Sequence, residues 1–467
     1  MSRRVLVVAY DFPPHGAIGT MRTLRLVQQL ARDGWDVKVL TSDPRAFRPR
    51  TPVDETLLGR VPSSVTVVRA AAFRGFERLK GLARRSNSGR RSATAAHEVS
   101  GGPGTRGIGR RAIDLVDTVL AIPDQESAWL APAVAQGFQA CQSWKPDVLY
   151  SSAPPWTGQL VARSLAALLK CPWVADFRDP WARAPWREAR GKFARQANGA
   201  LERMVIRRAD AVLFVTRANL DEFAAHYGAK ARSRFHLVPN GCDPSDFEGM
   251  ASAPSPSRFV LLHAGTLYAA RSPLPLIHAI ARAIDRGVLE RNRFRLRLLG
   301  PTNLLVDLRA ESRRIGLEDV VEIVPRVTLA ESQREMVSAS ALLLVQPGTT
   351  VSVPGKAYEY LAAGRPVLAL AEEGETADLV RASGIGVSIR PDAGVEAVEA
   401  ALLQVVEIGS RPYLPPPPAL YDGRVHAVAA AGLLADIAKS IRRGGKTRAH
   451  AEPAATTDRV SLGERRR

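Results

Sequence analysis

The stretch Val345–Leu368, VQPGTTVSVPGKAYEYLAAGRPVL, decides how the rest of the chain is read. An apolar run of buried-strand length flanks it on each side, Ala341 to Val345 and Pro366 to Leu370. Pro347, Gly348, Pro354 and Gly355 mark a turning loop between the runs. A short helix is predicted over Lys356 to Ala363, ended by Gly364, which takes a left-handed C-cap at least steric cost. The start of such a helix presents unpaired amides and the positive end of its dipole, and Lys356 adds a full charge there. Glu359, three residues on and on the same face, offers two acceptor oxygens to a pair of hydroxyls. Phosphate and ribose side by side describe a nucleotide. The plainer reading is open too: a glutamate favouring its own helix start and a solvated lysine.

Working outward, the unit sits in a longer α/β series. Strands are predicted at Phe259 to His263, Arg295 to Leu299, Val320 to Val324, Ala341 to Val345, Val367 to Leu370 and Gly386 to Ile389, with amphipathic helices between them. The first of these ends in Gly265-Thr266-Leu267-Tyr268, followed by Arg271 and a helix from about Ser272. That repeats the pattern of a backbone-donor loop and a cation at a helix start, so Arg271 and Lys356 are read as sharing one diphosphate or as separate surface cations.

A second series fills the first half. Val5 to Tyr10 reads as a strand buried on both faces, and the loop Pro13-Pro14-His15-Gly16-Ala17-Ile18-Gly19 leads to a helix from Thr20 to Arg32. Trp35 to Thr41 is the next strand. His15, Gly16 and Gly19 form a Rossmann-like turn where a diphosphate or sugar approaches the backbone; it is not GxGxxG, so a nicotinamide site with Asp43 as ribose acid is only weakly suggested. Further strands are expected at Asp147 to Ser152, Trp173 to Ala175, Ala211 to Val215 and Phe235 to Val238. Asp176-Phe177-Arg178-Asp179-Pro180-Trp181 directly follows one of them. Asp176 and Asp179 at that edge suit substrate orientation or proton transfer and Arg178 suits a phosphate, unless an internal Arg–Asp pair simply fixes the turn.

Composition excludes several classes. The formal charge is +19, but Arg69 to Arg111 carries eleven Lys/Arg against Glu77 and Glu98, and Lys439 to Arg467 nine against three acids. Those two segments hold +9 and +6, so the remainder is near neutral and no specific nucleic-acid groove is expected. Phe73 to Arg85 has the pattern of a basic amphipathic helix, either on an anionic membrane surface or packed on its own domain. Cys141, Cys171 and Cys242 lack metal spacing and read as reduced thiols of a cytoplasmic protein. No apolar run reaches bilayer length, and Asp11 and Pro13 interrupt the first apolar run before it forms a signal core. The division expected is a Rossmann-like domain over 1–242 with a basic insertion at 84–111, a linker at 243–257, a second Rossmann-like domain over 258–410, a Pro-rich connector and final helix over 411–441, and a basic tail over 442–467.

Taken together, PPHGAIG, DFRDPW, VPNG, HAGTLYAARS and PGKAYEYLAAGRPV resemble the GT-B glycosyltransferases of the retaining family-4 type, over Val5 to about Ile441. The resemblance implies two doubly wound parallel-sheet domains facing a cleft, with the acceptor on the first and the nucleotide sugar on the second. It places Glu359 on the ribose and Arg271 and Lys356 on the diphosphate, within a donor set that also takes in Gly265, Thr266, Tyr268, Arg326, Pro354 and Gly355. Asp176, Arg178 and Asp179 fall in the catalytic turn, Arg178 standing where the family has a histidine. Val351 stands where the family has the first of two spaced glutamates. The activity implied is sugar transfer from a nucleotide diphosphate to a glycan or lipid-linked acceptor with retention of configuration. Neither cofactor nor metal is expected, and the protein is expected in the cytoplasm, either free or peripheral at the inner face of the plasma membrane. The alternative is a GT-B-shaped nucleotide-binding subunit without catalysis.

Overall fold

The computed structural model describes residues 2–47, 51–72, 122–183, 191–250, 257–268 and 271–442. The amphipathic stretch Phe73 to Arg85, the basic insertion, linker positions 251–256 and the tail beyond 442 lie outside them.

Apolar runs such as Val5 to Ala9, Ala341 to Val345 and Val367 to Ala371 are buried on both faces and form the centres of two all-parallel sheets. The first comprises β1 (Arg4–Ala9), β2 (Asp36–Ser42), β3 (Thr66–Ala70), β4 (Val148–Ala153), β5 (Trp173–Phe177), β6 (Ala211–Phe214) and β7 (Phe235–Leu237). Its strand order is β3-β2-β1-β4-β5-β6-β7. The second contains β8 (Phe259–Ala264), β10 (Phe294–Leu299), β12 (Val321–Val324), β13 (Ala341–Gln346), β14 (Val367–Ala371) and β15 (Gly386–Ile389), in the order β12-β10-β8-β13-β14-β15. A two-stranded pair, β9 (Leu267–Tyr268) with β11 (Thr302–Asn303), caps its carboxyl edge.

Each order reverses at one point, between β1 and β4 in the first sheet and between β8 and β13 in the second. Connections leave in opposite directions there and open a crevice at the strand ends. The loop holding His15 and Gly16 follows β1, and Gly265 and the loop 347–354 follow β8 and β13.

The final helix, Gly423–Arg442, returns to the first domain, where Ala430, Ala431, Leu434 and Ala438 pack with Leu24, Val27 and Leu30 of the helix Ile18–Arg32. The outward and returning chains meet: the Cys242 amide donates to the Tyr421 carbonyl at 2.8 Å and the Gly423 amide to the Cys242 carbonyl at 2.7 Å. All three cysteines are buried and free.

Two expectations are corrected. The strand Thr66–Ala70 was not anticipated, and Arg69, counted with the basic stretch Arg69 to Arg111, lies within it; as an edge strand it is mostly half-exposed and carries no long apolar run. The strand Trp173–Phe177 continues past Ala175, so Asp176 belongs to the sheet and not to the loop after it.

Candidate active site

The second-domain wall begins at Pro354, whose extended backbone leads into the helix Gly355–Ala362 without a capping side chain. Its first amides are therefore left for an outside acceptor. Lys356 reaches back across the sheet to the loop after β8: a Cβ on Gly265 would lie 2.3 Å from Lys356 Cε and 2.7 Å from Nζ. Gly265 also has φ of +143°, so only glycine suits both the backbone and the lysine. Burial pushes the Lys356 pKa down, Glu359 opposes the shift, and Arg271 adds to it. Among the described residues Lys356 has no ion pair and the Glu359 side chain no hydrogen bond, which leaves a half-buried cation and a carboxylate one turn apart without partners. The Arg271 guanidinium lies over the Tyr268 ring, 4.6 Å from its centroid. Thr266 is half-buried in the same loop, and Arg326 is exposed, two residues past β12.

His263, which sequence reasoning missed, stands beneath this wall. Its Nδ1 donates to the Leu343 carbonyl at 2.9 Å, and its buried Nε2 has no partner. Burial lowers its pKa to about 4; the bond to Leu343 works against that, and Lys356 and Arg271 reinforce it. The ring is neutral near neutrality, and the positive charge of the wall rests on Lys356 and Arg271. A lone histidine ending an apolar strand gives no sequence signal beyond its place at a switch-point strand.

The first-domain wall gathers His15, Gly19 and Arg178 with Asp11, which had not been singled out as a site residue. Arg178 Nη2 donates to Asp11 at 3.3 Å and to the Pro154 carbonyl, and its guanidinium lies so close to Gly19 that a Cβ there would be 1.3 Å from Nη1. His15 Nε2 is 3.5 Å from Asp11, and its Nδ1 accepts from the Ala17 amide at 3.3 Å. Burial lowers the His15 pKa, against Asp11 and with Arg178. The Gly16 amide is tied to the Pro52 carbonyl at 2.8 Å, which pins this loop. Asp179 is half-buried beside Arg178.

Asp176 is placed differently. It is fully buried and receives Arg22 Nε at 2.7 Å, Arg22 Nη2 at 2.9 Å and the Tyr150 hydroxyl at 2.6 Å. Both oxygens are occupied, so the part in proton transfer or substrate orientation read from sequence gives way to holding Arg22. Arg22 in turn donates to the carbonyls of Val238 and Pro239 at 2.9 and 2.8 Å, at the crossing between domains. Asp43, the weak ribose candidate, has its carboxylate taken by Arg45.

Among the described residues no group of three or more His, Cys, Asp or Glu side chains is arranged to hold a metal, and no helix is long and apolar enough to cross a membrane.

Two parallel α/β domains, each with its loops at a switch point and one carrying an unpaired lysine at a helix start, fit a sugar-nucleotide transferase architecture of the GT-B class. The sequence matches the family model for a glycosyl transferase 4-like domain over residues 19–241 and that for glycosyl transferases group 1 over residues 258–407. The chain belongs to the GT-B glycosyltransferases. No curated protein matches the sequence significantly. Among solved structures it is similar to the HepE protein of Anabaena in complex with UDP, with 15% identity, TM-score 0.53 and 95% and 99% of the two chains covered. Sucrose-phosphate synthase from Thermosynechococcus elongatus gives 14%, 0.55, and 95% and 99%. The lipopolysaccharide outer core galactosyltransferase WaaB gives 13%, 0.53, and 94% and 99%. At such identities the likeness is one of fold.

Proposed function

We propose that this chain moves a sugar from a nucleotide diphosphate sugar to a glycan or lipid-linked acceptor, with retention at the anomeric carbon, at the cytoplasmic membrane face. The observation that carries the reading is the pairing of Lys356 with Gly265 at the uncapped start of the Gly355–Ala362 helix, with Glu359 one turn further on. Lys356, Arg271 and the helix amides suit the diphosphate, and Glu359 suits the ribose hydroxyls. Structures similar in fold were solved with UDP and with UDP-glucose, which favours a nucleotide in this position.

The chemistry follows from charge. Cleaving the anomeric C–O bond leaves negative charge on the departing phosphate, and cations and N–H dipoles already in place lower that barrier. In a front-face retaining reaction the departing phosphate oxygen takes the acceptor's proton, which dispenses with a strong protein base; the occupied Asp176 is compatible with that route. The diphosphate charge is assigned to protein groups, so turnover is expected to persist in a chelator.

Thermal-shift screening against UDP-, GDP-, ADP- and TDP-sugars tests the reading, because a ligand of the folded state raises the melting point. One sugar nucleotide is expected to stabilise the protein, to be hydrolysed slowly without acceptor, and to lose its effect in Glu359→Ala and Lys356→Ala. A protein that none of them stabilises would refute the transferase assignment. Binding without turnover of any donor would instead indicate a non-catalytic subunit.

A further inference from the structure

The loop 347–354 delivers the chain to the start of the Gly355–Ala362 helix, so whatever holds the loop also aims that helix end. Inside the second domain, Thr376 Oγ1 donates to the Ser352 carbonyl at 2.9 Å, the Glu375 amide donates to the Thr350 carbonyl at 3.0 Å, and the Thr349 and Ser352 hydroxyls are 3.0 Å apart. The loop is thereby bound to the first turn of the helix Glu375–Ala382.

Two further bonds come from the first domain. Thr216 is the N-cap of the helix Arg217–Tyr227, and its hydroxyl donates to the Val351 carbonyl at 2.7 Å while accepting from the Asn219 amide. The Glu375 carboxylate accepts from the Ala218 amide. Glu375 thus stands at the positive ends of two helices at once, its own and that of Arg217–Tyr227, and a negative charge is favoured at both.

We propose that Thr216 and Glu375 are positioning residues that join the two domains across the cleft and hold the loop 347–354 so that the Gly355 helix faces the donor diphosphate. The inference rests on reading that helix start as the diphosphate site. Thr216 acts through the Val351 carbonyl and Glu375 through the loop its amide anchors. Val351 contributes a main-chain group, so the joint does not depend on the side chain at that position. The joint exists only when the domains are together, so closing strengthens the hold on the nucleotide, and the nucleotide favours closing by the same factor.

Thr216→Val removes the hydroxyl at constant shape, Thr216→Ser keeps it, and Glu375→Ala removes the carboxylate. Calorimetry with UDP, GDP, ADP and TDP is expected to show binding weakened about threefold to tenfold in Thr216→Val, as for the loss of one hydrogen bond, and restored in Thr216→Ser. Energy transfer between dyes on Leu168→Cys and Leu329→Cys, exposed sites on separate domains, reports the joint without a nucleotide; the native cysteines are buried. A wider spread of inter-domain distances is expected in Thr216→Val and Glu375→Ala than in the parent. Unchanged distances in both variants overturn the joint whatever the calorimetry shows. Wider distances in the two variants, with a parent that binds none of the four nucleotides, support the joint and overturn the diphosphate reading alone.

Discussion

The Arg22 guanidinium grips Asp176 by two hydrogen bonds, 2.7 and 2.9 Å long, between residues 154 positions apart in the chain. Burial opposes the Arg22 charge, but Asp176 more than offsets this and raises the Arg22 pKa. Together with the bonds to Val238 and Pro239, the pair ties the first domain to the crossing segment. Removing one partner leaves an uncompensated charge in the interior. Asp176→Ala and Arg22→Ala are each expected to cost about 3–5 kcal/mol in urea unfolding, and the double variant less than the sum. Had Asp176 been a catalytic acid instead, Asp176→Ala would fold with near-parental stability and lose turnover.

His263 and His426 make stability fall with acidification. Burial is the main cause in each, and each pKa is lowered from 6.5 to about 4. Between those values the unfolded chain binds a proton that the folded chain does not, so stability is lost as pH drops from 6.5 toward 4, by about 3 kcal/mol per histidine. Urea titrations across this range are expected to be flatter for His263→Gln and His426→Gln than for the parent. Equal slopes would show that these rings titrate normally.

Much of this was legible in the sequence because it is local. The strand at Val5, the glycine after β8, and the lysine and glutamate one turn apart at Gly355 are neighbours along the chain, and their spacing alone puts them on one edge or one face. What stayed hidden depends on partners far away in sequence. Asp176 looked available because nothing near it announces Arg22 or Tyr150, and nothing near Thr216 announces Val351, which lies 135 residues on. The strand Thr66–Ala70 escaped because an edge strand need not be apolar.

Lys356 should take up protons when a diphosphate binds. In the free protein burial lowers its pKa, and an adjacent anion raises it again. At a pH between the free and bound values, binding therefore consumes protons, and affinity declines as pH rises through that interval. Calorimetry across the alkaline range in buffers of different ionisation enthalpy should give heats that vary with the buffer for the parent and not for Lys356→Met, whose binding is expected to be about 10- to 100-fold weaker. Heats independent of buffer in the parent would remove Lys356 from the diphosphate.

Gly19 and Arg178 share one small volume, and a methyl group cannot be added without moving the guanidinium. The clash falls on the end of a flexible side chain, so Gly19→Ala should fold. The loss of the Arg178 bonds to Asp11 and Pro154, about 1 kcal/mol or more each, is partly opposed by the helical preference of alanine over glycine, at most about 1 kcal/mol, so a modest drop in melting point is expected. If Arg178 acts in the cleft, as the resemblance implies, Gly19→Ala and Arg178→Ala should lower kcat alike, and the double variant should be no slower than either single one, because both remove the same group from the same place. Additive losses would mean that Gly19 serves the reaction through its own backbone, with the arginine beside it only a neighbour.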